Sequence, residues 1–141
     1  MTTSEQISSK AVALIKSKGH RATDARVAVL DTLLTAEYAL THHEIEQRLA
    51  RHGHLIDRVT LYRVLEWALQ QGIAHKLTGE DRVWRFNVAL TNDHAHFYCT
   101  CCGQIYCMEN LTPAVAVTLP NGFKLRHTEL AIQGLCPQCA E

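Results

Sequence analysis

The chain of 141 residues is 47% hydrophobic, and its 14 basic and 14 acidic side chains cancel to a formal charge of zero. That composition suits a packed core in one domain or two small ones. Zero charge over the whole chain argues against a nucleic-acid binder, and no apolar run reaches the length of a membrane span. The charge is unevenly placed, however. Residues 1–88 hold 12 Lys or Arg and 10 Asp or Glu, a net +2, whereas residues 89–141 hold 2 and 4, a net −2, and all six cysteines lie beyond residue 98. This division predicts two domains, 1–88 and 94–141, joined by a hinge at 89–93. The opening Met-Thr-Thr-Ser-Glu-Gln has no basic-then-apolar leader, so a cytoplasmic protein is expected.

In chain order, Ile7, Val12, Ala13 and Ile15 with Lys10, Lys16 and Lys18 predict a first helix ending at Gly19. Thr23 or Asp24 caps a second, with Val27, Leu30 and Leu34 on one face. Thr41-His-His-Glu44 is a capping box for a third, carrying Ile45 and Leu49 and stopping at Gly53. His42 and His43 point in different directions in its first turn and read as solvated positions rather than a ligand pair. Asp57 caps a fourth helix, Arg58 to Gln71, ended by Gly72. After Gly72 the period becomes two. Ile73, His75 and Leu77 alternate, as do Val83 and Arg85 against Trp84 and Phe86, with Thr78-Gly-Glu-Asp81 as the turn. Helices followed by such a hairpin are the pattern of a winged-helix DNA-binding domain, which would place the fourth helix in the major groove.

That helix turns Val64, Leu65, Ala68 and Leu69 to a core, while Arg58, Tyr62 and Arg63 project from its first two turns. A helix N-terminus attracts phosphate, Arg pairs bidentately with guanine, and Tyr can bond phosphate or press on a thymine methyl. An ordinary amphipathic helix with a solvated basic face has the same pattern, so the helix alone leaves both readings open.

Beyond residue 98 lie two knuckles, Cys99-Thr-Cys-Cys102-Gly and Cys136-Pro-Gln-Cys139. Two residues between ligands let one tight turn aim both thiolates at a single ion, and two such turns complete an all-sulfur tetrahedron for structural zinc. The 33 residues between Cys102 and Cys136 leave room for a strand, a short helix and a returning strand. In a reducing compartment disulfides are rare, and the remaining alternative is a redox dithiol. A thiol oxidoreductase would need a thioredoxin-like βαβ context, and none is visible. His94 and His96 are two apart and would leave one face of a strand, while Cys99 would leave the other, so the histidines and the clip read as separate sites.

Val59-Thr-Leu-Tyr62-Arg63, followed by Leu65 and Gly72-Ile73, resembles the recognition-helix signature of the ferric uptake regulator (Fur) family. His94-Ala-His96-Phe-Tyr-Cys99-Thr-Cys-Cys102-Gly resembles that family's HxHxxCxxCG segment. Gly19-His-Arg21-Ala-Thr23-Asp-Ala-Arg26 and the stretch from Gly122-Phe123 through His127 to Cys139 are similar to its opening and closing segments. The resemblance spans nearly the whole chain in order.

It implies an α+β protein with an N-terminal winged-helix DNA-binding domain followed by a small α/β dimerisation domain with a four-cysteine zinc clip. The implied activity is that of a homodimeric, metal-responsive transcriptional repressor bound to double-stranded palindromic operator DNA, with no enzymatic activity, membrane or small organic substrate. By position, Cys99, Cys102, Cys136 and Cys139 hold the structural zinc, while Arg21, Arg26, Arg58, Thr60, Tyr62 and Arg63 face DNA. His75 matches a ligand of zinc-sensing relatives and joins His94 and His96 in a regulatory site. Where the family usually has an acid to complete that site, this chain has Cys107. Three nitrogens and a sulfur suit tetrahedral zinc better than octahedral iron. An iron or peroxide sensor of the same family is the alternative; Asn87 stands where zinc-sensing relatives often place cysteine and Arg85 near where iron sensors place an acid, and neither is a good ligand. Ala95 and Asp93 break the family's further His-rich site, although His127 remains. Cys101 reads as a spare thiol.

Overall fold

The computed structural model describes residues 4–88, 95–108, 117–126 and 128–141. Four helices lead: α1 (Ser4–Ser17), α2 (Asp24–Thr35), α3 (His42–Arg51) and α4 (Arg58–Gln70). Their starts are set by side chains that satisfy otherwise unpaired amides of the first turn. Thr23 Oγ1 accepts from Arg26 N at 3.2 Å, and Asp57 Oδ1 accepts from Thr60 N at 2.8 Å. At α3 the box is reciprocal: Glu44 N donates to Thr41 Oγ1 at 3.1 Å and Thr41 N to Glu44 Oε1 at 3.0 Å. Gly72 stops α4 at φ 71°, a left-handed turn that a side chain would strain, and Ile73 N then closes onto Ala68 O at 2.9 Å.

These helices enclose the main apolar core, in which Leu30, Leu40, Ile45, Leu61, Leu65 and Phe86 are essentially inaccessible. Each such side chain contributes roughly 1.5–3 kcal/mol over leaving it exposed. The core fixes the roll of α4: Leu61, Val64, Leu65 and Ala68 point inward, leaving Val59, Tyr62, Arg63 and Glu66 outside.

An antiparallel hairpin, β1 (Ala74–Thr78) and β2 (Trp84–Val88), follows with His75 opposite Asn87 and Lys76 opposite Phe86. The alternation expected along β2 is replaced by a buried run from Arg85 to Val88. Both faces are covered. Leu40 forms a backbone bridge to Phe86 with N to O distances of 2.9 and 2.8 Å, and Gly103 approaches Arg85 so that a β-carbon there would sit 3.8 Å from its Nη2.

The second sheet has β3 (Ala95–Cys99) in the middle, antiparallel to β4 (Ile105–Met108) and parallel to β5 (Leu130–Gly134). Gly134 lets the sheet close, because a β-carbon there would lie 3.1 Å from the Phe97 ring. Among the described residues its buried apolar set is Ala95, Ile105, Cys99 and Cys136. The two sheets are linked by Ala39 N donating to Ile105 O at 2.7 Å and by the edge-on rings of Tyr38 and Tyr106, 5.9 Å apart. The short helix expected between the clips has no counterpart among the described residues, and 109–116 lie outside them, as does the expected hinge at 89–93. No described helix is long and apolar enough to cross a membrane.

Candidate metal centre and recognition surface

The last residue of β3, Cys99, starts a tight turn in which Gly103 N donates to Cys99 O at 3.0 Å, bringing Cys102 back beside it. The second knuckle turns in the same way, with Cys139 N to Cys136 O at 3.0 Å. Two cross-links align them: Thr100 N to Gly134 O at 2.8 Å and Cys136 N to the Cys99 sulfur at 3.4 Å. The sulfurs of Cys99, Cys102, Cys136 and Cys139 all lie within 4.8 Å of one another, and this is the one such group of three or more ligands among the described residues. None of the six cysteines is in a disulfide. The Cys102 and Cys136 sulfurs are 3.9 Å apart, close to the edge of about 3.8 Å that a tetrahedron of zinc–sulfur bonds requires.

The electrostatics fit a dication. Backbone N–H groups of Cys102 and Cys136 donate to Cys99 and pull its pKa down to about 6, and the amide of Cys139 lowers that of Cys136. Cys139 is pushed the other way by the neighbouring thiols of Cys101 and Cys136. Four thiolates this close repel one another unless an ion neutralises them, so the donor set and spacing suit Zn²⁺. Cys101 is exposed and outside the four-sulfur group.

Of the expected regulatory ligands, His75, His96 and Cys107 are among the described residues. His96 is buried on β3 and stands directly opposite Cys107 on β4, so both side chains leave the same face. His75 is half-buried on β1, and His94 lies outside the described residues. The structure does not gather His75, His96 and Cys107 into one ligand group. Opposite His75, Asn87 is 6% exposed and neither end of its amide has a hydrogen-bond partner. Sequence reasoning set Asn87 aside as a poor ligand. Its burial was invisible there, because every residue from Arg85 to Val88 is buried and no alternation marks it.

Arg85, likewise read only as a non-ligand, is 8% exposed and forks onto Asp81 with N–O distances of 3.0 and 2.7 Å. The guanidinium draws the Asp81 carboxyl down to about 2. The pair braces the hairpin turn against the first knuckle. A cleft of about 570 Å³ lies between them, lined by Gly79, Glu80, Asp81, Cys101 and Gly103 among others.

On α4, Arg63 is exposed and Tyr62 is 44% exposed. Arg58 is also exposed, its Nε 3.1 Å from Glu46 Oε1, and Thr60 is half-buried with its amide capped by Asp57. Arg21 is exposed, but Arg26 is half-buried with its guanidinium 4.1 Å over the Trp67 ring and Nη1 donating to Arg21 O at 3.0 Å. The expectation of two solvated histidines at the start of α3 holds for His43 and needs correction for His42. The His42 ring lies edge-on to Tyr62 at 4.5 Å and to Phe86 at 4.7 Å, and burial lowers its pKa, with the Lys76 charge adding to the effect. It sets the angle at which Tyr62 leaves the helix.

Comparison with known proteins adds a third line. The profile of the ferric uptake regulator family matches residues 17–133. The chain is 29% identical over 140 residues to the peroxide operon regulator of Bacillus subtilis, covering 94% of this chain and 92% of that protein. It is 26% identical over 145 residues to the zinc uptake regulation protein of Escherichia coli, covering 99% and 85%. Among solved structures, a zinc uptake regulator complexed with zinc and DNA superposes with a TM-score of 0.67 at 23% identity, over 99% of this chain and 97% of that one.

Proposed function

Because the chain belongs to the ferric uptake regulator family, we propose that it is a zinc-responsive transcriptional repressor. It is a metal-responsive, DNA-binding regulator that acts as a homodimer on double-stranded operator DNA. Twofold symmetry pairs two α4 helices so that together they read a palindrome longer than one helix can cover. Arg63 and Tyr62 supply base and phosphate contacts from the first two turns, with Arg58, Thr60, Arg21 and Arg26 flanking them. Arg58 would exchange Glu46 for phosphate. Exposed Phe123 and Leu125 and the outer edge of β5 offer apolar and backbone surface for the second copy.

The four-thiol clip holds structural zinc, which ties the end of β3 to the segment that follows β5. Regulation uses a second ion on His75, His94, His96 and Cys107. The observation that carries this reading is the facing pair His96 and Cys107, a nitrogen and a thiol donor on one face of β3–β4. The orphaned Asn87 amide beside His75 supports it, since an unpaired buried amide costs about 1–3 kcal/mol and calls for a polar neighbour. A bound ion there supplies a bond between the hairpin and the C-terminal sheet. Ligands on both sides favour the closed orientation by their difference in affinity for the two, and a hundredfold gain in DNA binding needs about 2.7 kcal/mol.

Nitrogen and sulfur donors favour zinc, and the Asp81-bound Arg85 offers iron no carboxylate where the peroxide- and iron-sensing reading would need one. The test is operator binding across a zinc-buffer series at fixed salt, with metal counted per chain and ferrous iron as the competing ion. Two zinc ions per chain, the second raising operator affinity, support the reading. DNA affinity that ignores zinc above one ion per chain, or rises only with iron, overturns the zinc assignment.

A further inference from the structure

Resting on the DNA-binding reading, we infer that Val59 is a sequence-reading residue that seats a thymine methyl group in the major groove beside the one met by Tyr62. Exposed apolar side chains scattered singly need no explanation. Here three fall within eight residues at the start of one helix: Leu55 is wholly exposed, Val59 is 56% exposed and Tyr62 is 44% exposed. Valine is a poor choice for a solvated first turn, because β-branching restricts it there and the positive helix end favours acids and hydroxyls. An apolar group at that position implies an apolar occupant.

The geometry identifies the occupant. Val59, Tyr62 and Arg63 stand at i, i+3 and i+4, so they share one face of α4, the face left outside by the burial of Leu61, Val64 and Leu65. Asp57 caps the amide of Thr60, fixing the turn that carries Val59, and His42 braces the Tyr62 ring. Glu66 ends the face a turn later with a charge that phosphate repels. The major groove presents one apolar feature, the thymine C5-methyl group. Three residues advance about 4.5 Å along a helix and one base step about 3.4 Å, so Val59 and Tyr62 reach methyl groups one to two steps apart.

The test uses the full-length protein with zinc added. It first selects half-sites from a random-sequence duplex library, and each thymine of the selected site is then replaced by deoxyuridine, which removes only the methyl. Wild type is expected to lose about fourfold in affinity at a thymine one or two steps from the position where Tyr62→Ala abolishes the methyl effect, the worth of one buried methyl group. Val59→Ala is expected to show no deoxyuridine penalty at that thymine while keeping the penalty assigned to Tyr62. Val59 is exposed, so its truncation leaves the core untouched. Equal deoxyuridine penalties in wild type and Val59→Ala at every position overturn the inference alone. Failure to select any sequence removes the DNA-binding reading and the inference with it.

Discussion

Arg85 shows how much of this protein is decided one side chain at a time. A buried guanidinium forked on a half-exposed carboxylate ties the hairpin turn to the first knuckle. Arg85→Ala is expected to cost about 1–2 kcal/mol in urea unfolding, below the cost of breaking a fully buried pair because Asp81 is 41% exposed. The carboxyl's native pKa of about 2 lies below its ordinary 3.8. Its contribution is therefore complete above 3.8 and lost as pH falls toward 2, so the stability gap between wild type and Asp81→Asn should close across that window. At His75, substitution by Ala should leave fold and basal DNA binding intact and abolish the gain with zinc, measured by operator titration. Little of this was legible beforehand. Arg85 lies in an alternating strand pattern, and the approach of Gly103 to its guanidinium joins positions eighteen apart.

At the scale of elements, local chemistry sufficed for the helices. The fourth was expected at Arg58 to Gln71 and runs Arg58–Gln70, because cap, apolar stripe and glycine stop all act within a turn or two. Thr41→Ala should remove one half of the α3 capping box and lower stability by about 1 kcal/mol, seen as a shifted denaturant midpoint. Strand β2 was less legible. Alternation assumes one covered face, and here Arg85, Phe86, Asn87 and Val88, which point alternately to the two sides, are all buried. His42 departed from expectation for a related reason: its neighbours Tyr62 and Phe86 come from α4 and β2.

For the whole molecule, the four-cysteine group is what brings distant segments of the C-terminal sheet together. Cys136→Ser is expected to lower zinc by one ion per chain and to expose the amides of β3–β5 to hydrogen exchange, while those of α2 and α4 stay protected. Phe123→Glu should shift the dimer toward monomer in sedimentation and weaken operator binding accordingly.

What the chain determined by itself was everything carried by short spacing: helix limits, the paired knuckles and the basic face of α4, since these depend on residues a few positions apart. Tertiary structure alone decided that Asn87 and Arg85 are buried and that His42 packs on Tyr62. Each depends on segments that come together only when the core closes, and no local period along a chain records which distant residue will arrive.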